Sequence, residues 1–361
     1  MDPTRSHRRR WVVAGAAGVV LAGTLGWAAS AGAAGSDPTA EELLAALDQP
    51  TEESLTGITV TRADLGLPEI PVELLDLPAP FPVDSGVMAA QVWVDGPELQ
   101  RATVLADPAA TAPLAVADTE LTAVRNGAAG WLWSAEDATA TAFSATPGPT
   151  ATATPGDLAR SFVQTLGPDT GLAVAASDPV AGRPAVALLL TPNNPDTLIS
   201  RITVTMDAQT NVPLRVQVGS VLTKTPALES EFLSIDYGTP ESGVFEFSPP
   251  IGATVTDEGG RTESGNGAAI VGDGWSKVAV GPLALPSATD LDSAGGRSQE
   301  SAQEAYAALI SSYLALPTVS GEWGSGRLIE GTLFSAILTD DGRYAIGPVN
   351  PTTVEAALNQ S

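Results

Sequence analysis

A chain with one histidine, His7, and no cysteine has few routes to catalysis. His7 sits in a basic N-terminal run. No Ser-His-Asp relay, imidazole-bound metal, thiolate site or cysteine nucleophile can be assembled from the remainder. Carboxylates are plentiful, and adjacent pairs occur at Glu41/Glu42, Glu52/Glu53, Glu136/Asp137 and Asp340/Asp341. Neighbours along a strand point to opposite faces, so such pairs do not supply the facing carboxyls of glycoside hydrolysis. Asp340-Asp341 beside Glu330 could attract calcium, but no ligand series at loop spacing accompanies them, and a turn is the simpler role. P-loop, dinucleotide fingerprint, nucleophile elbow and EF-hand patterns are all missing. The glycine-rich GNGAAIVGDG (265–274) lacks the lysine and the preceding strand of a phosphate cradle and reads as a loop. The expectation is a protein that is not an enzyme and uses no cofactor or metal.

What remains is a set of aromatic and branched side chains at two-residue spacing. Trp131 and Trp133 share one strand face, as do Phe245 and Phe247. Ile202, Val204 and Met206 alternate with Arg201, Thr203, Thr205 and Asp207; Val216 and Val218 alternate with Arg215 and Gln217. Such residues either pack an ordinary core or line an apolar hollow, and both can hold for different residues. In a hollow the binding force would be apolar burial, about 0.8 kcal/mol per methylene sequestered.

The elements that must position them are mostly strands. A capping box, Thr39 with Glu42, opens a short helix over 39–48. Alternating runs then follow at 57–65, 86–95, 98–105, 120–126 and 130–134, with Asp95-Gly96-Pro97 and Asn126-Gly127 as hairpin turns. After the Pro/Thr/Ala-rich loop 145–156, a helix runs to about Leu166. Strands resume at 171–178, 183–192, 198–207, 212–222, 228–237 and 244–248. Consecutive strands with one apolar and one wet face predict an antiparallel meander. Only two short helices are available to cover some ten strands or more, which predicts a strongly curved sheet, a half-open β-barrel around a partly filled hollow. A loop at 258–268 is a domain boundary. Beyond it, 259–361 reads as loop, helix (about 299–315), hairpin around Asp340-Asp341-Gly342, and a short helix from Asn350-Pro351.

Residues 1–36 form an export segment. Arg5, Arg8, Arg9 and Arg10 precede the uncharged stretch Trp11 to Ala28, and small-x-small sites lie at 29–33. The segment is either cleaved or retained as a single-pass anchor. Both place the rest of the chain outside the cytoplasm. Removing residues 1–30, with four Arg and one Asp, leaves 13 basic and 41 acidic groups, a net charge of −28. That surface disfavours nucleic acid.

Three stretches resemble the LolA-like lipoprotein-carrier superfamily. TAVRNGAAGWLWSAEDATATAF (122–143) is similar to its strand–turn–Trp hairpin, VALLLTPNNPDTLISRITVTMDAQTNVPLRVQV (186–218) to its Leu-x-Pro strand and following hairpin, and FEFSPPIGATVTD (245–257) to its closing Phe-x-Phe-x-Pro-Pro signature. PVAGRPAVALLLTP (179–192) is also similar to the RseB/MucB branch. The resemblance implies a half-barrel domain over 37–258 with helices in its mouth and acyl chains of lipids or lipoproteins on its concave face. Trp131, Trp133, Ile202, Val204, Met206, Val216, Val218, Phe245 and Phe247 are the candidate lining residues. The sensor branch implies a different partner, a membrane-bound anti-sigma or other regulatory protein. The carriers' early strand ends in aromatic-Val-x-Arg-Pro, whose arginine holds the lid. Here Trp93-Val94-Asp95-Gly96-Pro97 has glycine at that place, with Arg101 and Arg125 as possible replacements.

Overall fold

The computed structural model describes residues 38–49, 53–67, 86–105, 119–135, 138–144, 154–163, 166–167, 169–257, 268–283, 307 and 310–360. The leader lies outside these residues, as do 258–267 and 284–306. Strands form where alternation predicts them. β1 (Ser54–Ala63), β2 (Gly86–Asp95), β3 (Leu99–Leu105), β4 (Thr119–Asn126), β5 (Ala129–Ser134) and β6 (Thr139–Ser144) make one antiparallel meander. β7 (Thr170–Ala176), β8 (Ala185–Pro192), β9 (Ile199–Asp207), β10 (Pro213–Ser220) and β11 (Pro226–Tyr237) make a second. Gly96 and Gly127 turn two hairpins of the first meander with φ of +69° and +62°. β1 joins the meanders by pairing antiparallel with β11.

β12 (Thr254–Asp257) adds in parallel to β6, giving a twelve-stranded sheet ordered β12-β6-β5-β4-β3-β2-β1-β11-β10-β9-β8-β7. It is curved and open. The bend is served by a register shift between Ile58 and Thr59, where Ile58 faces Ser234 and Thr59 faces Phe232. A bulge of this kind increases local twist. Gly57 lets the Phe232 ring lie across β1: a Cβ there would meet the ring at 2.9 Å and Ser234 O at 2.5 Å.

One expected strand is absent. Residues 244–248 are not a strand: Ser242–Phe245 form a 3-10 turn. Pro249 and Pro250 lack backbone donors, so the chain crosses the sheet unpaired and rejoins it as β12.

Two helices lie in the mouth. α1 (Ala40–Asp48) has the predicted capping box, Thr39 accepting from Glu42 N and Glu42 from Thr39 N. α2 (Pro155–Val163) buries Leu158, Ala159 and Phe162. The helices touch each other and pack over β7, β8, β10 and β11.

The C-terminal hairpin is part of something larger. β13 (Ala269–Val271), β14 (Val278–Pro282), β15 (Thr318–Gly321), β16 (Gly324–Glu330), β17 (Ser335–Thr339) and β18 (Arg343–Gly347) form an antiparallel sheet ordered β13-β14-β18-β17-β16-β15. Both faces of its central strands β17 and β18 are buried. Leu328, Ile337 and Ala345 pack against α3 (Pro351–Leu358), which is capped by Asn350. Ile329, Ala336, Leu338, Tyr344 and Ile346 join the core of the large sheet. This second sheet is the cover that the helix count alone could not supply.

Candidate ligand-binding face

Paired residues across a ladder share a face, so the ladders divide the nine candidate residues. Val216 pairs with Ser230, Ser230 with Thr61, and Thr61 with Met88, on the face shared with Val92 and Val94. This is the inner face, which carries α1 and α2. Trp131 pairs with Val124, Val124 with Arg101, and Arg101 with Trp93, which alternates with Val92 and Val94. Trp131 and Trp133 therefore lie on the outer face. Phe247 meets Trp131 there with ring centroids 5.7 Å apart. Phe245 is buried, and its carbonyl accepts from Asn126 Nδ2 at 3.4 Å on the first meander.

Ile202, Val204, Met206, Val216 and Val218 are on the inner face but wholly buried. They sit in one cluster with Leu43, Leu47, Leu158 and Phe162 from the helices and Leu333, Phe334, Ala336 and Leu338 from the C-terminal region. The nine residues therefore do not line one hollow. Five fill a sealed core and four lie on or under the outer crossing. Residue spacing dictates alternation within each strand, but not which face of one strand continues which face of another.

Hydrogen bonds seal the same seam. Ser220 Oγ donates to Thr332 O at 2.6 Å, Thr332 N to Leu65 O at 2.7 Å, and Leu198 N to Pro348 O at 2.9 Å. Trp275 wedges in at the β7 end and donates to Thr170 Oγ1 at 2.8 Å. The loop-like sequence around Trp275 carries no signal for this role.

The inner face changes character toward β6. Its middle holds Leu55, Ala90, Val92, Val94, Leu214 and Phe232, all buried. Between them and the start of α2 is a void of about 20 Å³, room for about one water. Its polar rim is Gln100, Thr154, Asp157 and Arg160, with Arg160 paired to Asp157 at 2.5 Å. Farther out, Leu121 and Leu132 are each 37% exposed on the inner face, and Ala123 is half-buried. The Phe143 ring lies over Gly130, 2.0 Å from where a Cβ would stand. Among the described residues, no helix and no second-sheet strand packs substantially on β4, β5 or β6.

Neither Arg101 nor Arg125, the candidates for the carriers' lid arginine, reaches α1 or α2 in the bonds it makes. Arg101 Nη1 donates to Val244 O at 3.0 Å on the outer side, and Arg125 Nε to Gly127 O at 3.3 Å. The acid pair Asp340/Asp341 is occupied as a turn: Asp341 binds Arg343 and Thr339, and Asp340 accepts from Ser325. Among the described residues no group of three or more acidic or His side chains could hold a metal. Residues 136–137 lie outside the described residues.

The most developed polar network lies at the β9–β10 hairpin. Asp207 is fully buried and takes Arg183 Nε at 2.7 Å, Tyr237 Oη at 3.1 Å and Gln209 N at 2.8 Å. Burial works to raise its pKa, but these donors outweigh it and hold the carboxyl below the usual range. Burial, reinforced by Asp207, pushes the Tyr237 phenol up to about 12. Arg183 also stacks 5.0 Å from the Tyr237 ring. With each group bonded to another and the β9–β10 turn tied to Arg183 before β8 and Tyr237 at the end of β11, the network is a fastening rather than a reactive site.

No protein-family model matches the chain, and no curated protein matches it in sequence. Among solved structures, the Pseudomonas aeruginosa MucA/MucB complex is similar at 16% identity and TM-score 0.44, over 88% of this chain and 95% of that one. An uncharacterized conserved protein from Thermus thermophilus is similar at 10% identity and TM-score 0.36, over 61% of this chain and 99% of that one. A LolA superfamily protein from Nitrosomonas europaea is similar at 12% identity and TM-score 0.24, over 58% of this chain and 98% of that one. The chain has the curved, open antiparallel sheet with two helices in its mouth that the sequence motifs imply.

Proposed function

We propose that this is an exported, non-enzymatic protein that holds an acyl chain of a lipid or lipoprotein against the inner face of its large sheet. The reading rests on the uneven cover of that face. The β7–β11 half is sealed by α1, α2 and the second sheet, whereas Leu121, Ala123, Leu132 and Phe143 offer apolar surface that no described element packs substantially on. A chain lying there runs toward Leu55, Val94 and Phe232, and its polar end meets the rim of Gln100, Thr154, Asp157 and Arg160. Sequestering ten methylenes would contribute about 8 kcal/mol before ordering costs. The basic leader followed by an apolar stretch supports an extracytoplasmic location. No helix among the described residues is long and apolar enough to cross a membrane.

Native mass spectrometry of gently extracted protein tests the reading. Retained lipid is expected, and Leu132→Glu should lose it. A clean apo mass, together with no saturable uptake of a fluorescent fatty acid, would defeat the proposal.

A second reading is an envelope sensor of the RseB/MucB kind that binds a membrane-bound regulatory protein. The VAGRPA run and a second, six-stranded sheet packed into the core of the first support it.

A further inference from the structure

Of the four edges that the two sheets present, β7 differs from the others. β12, β13 and β15 are three or four residues long, and β12 follows a Pro-Pro pair and ends in Asp257. β7 runs seven residues, Thr-Gly-Leu-Ala-Val-Ala-Ala, with no charge, proline or bulge. Short length, charge and proline are the usual protections of an edge, and here they are missing.

The ladder shows which backbone groups face outward. Asn193 N donates to Asp169 O at 3.0 Å, so Asp169 and Asn193 form a pair bonded across the ladder. Bonded and non-bonded pairs alternate in an antiparallel ladder. Gly171, Ala173 and Ala175 therefore turn their amides and carbonyls to β8, and Leu172, Val174 and Ala176 turn theirs away. Ala173, Val174 and Ala176 are exposed, and no described residue bonds to the outward groups of Leu172, Val174 and Ala176. The indole of Trp275 hydrogen-bonds the side chain of the first residue, Thr170, and leaves these outward main-chain groups untouched.

Charge selects the occupant. Asp169 and Asp178 bracket the strand, one before it and one after. An antiparallel second copy would set Asp169 of one molecule beside Asp178 of the other, between chains that each carry a net charge of −25. A segment with basic residues outside a small or branched apolar core would meet both carboxylates favourably. We infer that β7 is a docking edge for an extended peptide segment of a partner protein, added as a thirteenth strand, with lysine or arginine beyond each end of its paired core. Main-chain bonds to Leu172, Val174 and Ala176 would carry the affinity, and the flanking charges the selectivity. The inference is independent of acyl binding.

The test uses the full chain and two synthetic peptides, KTVAVTVK and its acidic counterpart ETVAVTVE. The basic peptide should bind saturably and at least tenfold more tightly than the acidic one at low salt. It should slow amide exchange at Leu172, Val174 and Ala176. Val174→Pro removes an outward donor without touching the β8 ladder, and should abolish binding while leaving lipid occupancy unchanged; Asp178→Lys, which keeps every outward main-chain group, is a second variant and should lose the preference for the basic peptide. Equal binding of the two peptides, binding that survives Val174→Pro, no protection at these amides, or self-association abolished by Val174→Pro would each overturn it.

Discussion

Trp131 and Val216 lie on opposite faces of one sheet, although each belongs to an apolar stripe of the same two-residue period. Trp131 meets Phe247 on the outer side, and Val216 is sealed beneath the helices. Trp131→Ala should therefore loosen the 242–257 crossing by about 1–2 kcal/mol and leave acyl occupancy intact. Leu132→Glu, one residue away, should do the reverse, with near-native stability and at least tenfold weaker fatty-acid binding. Urea titration and a fluorescent fatty-acid assay on the two variants separate the faces.

The second sheet is built into the core of the first. Phe334 is 3% exposed within the shared cluster, so Phe334→Ala should cost about 3–4 kcal/mol. Ile270 on β13 is 60% exposed, and Ile270→Ala should change stability by no more than about 0.5 kcal/mol. Deleting 259–361 would bare the same cluster, and the expected product is insoluble or lacks a cooperative transition. A soluble fragment with a sharp melt would show that the second sheet is dispensable.

Asp207 stabilises the β9–β10 hairpin only while ionised. Its folded pKa is held below the unfolded value, so its contribution is full above about pH 5 and declines as pH falls through the carboxylate range. Asp207→Ala should cost about 3 kcal/mol at neutral pH, since Tyr237 Oη and two backbone donors lose their acceptor. The gap between variant and parent should shrink on acidification. Denaturant midpoints measured from pH 7 to pH 3 give the sign directly.

Gly57 is needed for close approach rather than for an unusual backbone angle. Gly57→Val would press a branched side chain into Ser234 O and the Phe232 ring, and about 2–3 kcal/mol of destabilisation is expected. Thermal melts of Gly57→Val beside Gly96→Ala, where a Cβ would meet nothing within 4 Å, test this, with strain at the positive φ of Gly96 as the only cost there.

Alternation in the chain is enough to place most strands of the large sheet, their antiparallel pairing, the hairpin turns at Gly96 and Gly127, and the caps at Thr39 and Asn350. These depend on neighbours within a few residues, and such neighbours are visible in a sequence. The 3-10 turn at Ser242–Phe245 is not legible in the same way, because an aromatic alternation looks the same whether or not a ladder partner exists. The open apolar patch escapes the sequence for a related reason. Two-residue period assigns each side chain to one of two faces, but only the ladders connect Val216 to Val92 and Trp131 to Trp93 across the sheet.

Composition alone removed cysteine and histidine chemistry, and a local reading alone gave the strands and their polarity. The tertiary structure decided what covers them. Ile329, Ala336 and Leu338 reach the Ile202–Val218 surface from more than a hundred residues away, a contact with no local signature, and among the described residues the cover they provide stops short of the β4–β6 end of the inner face.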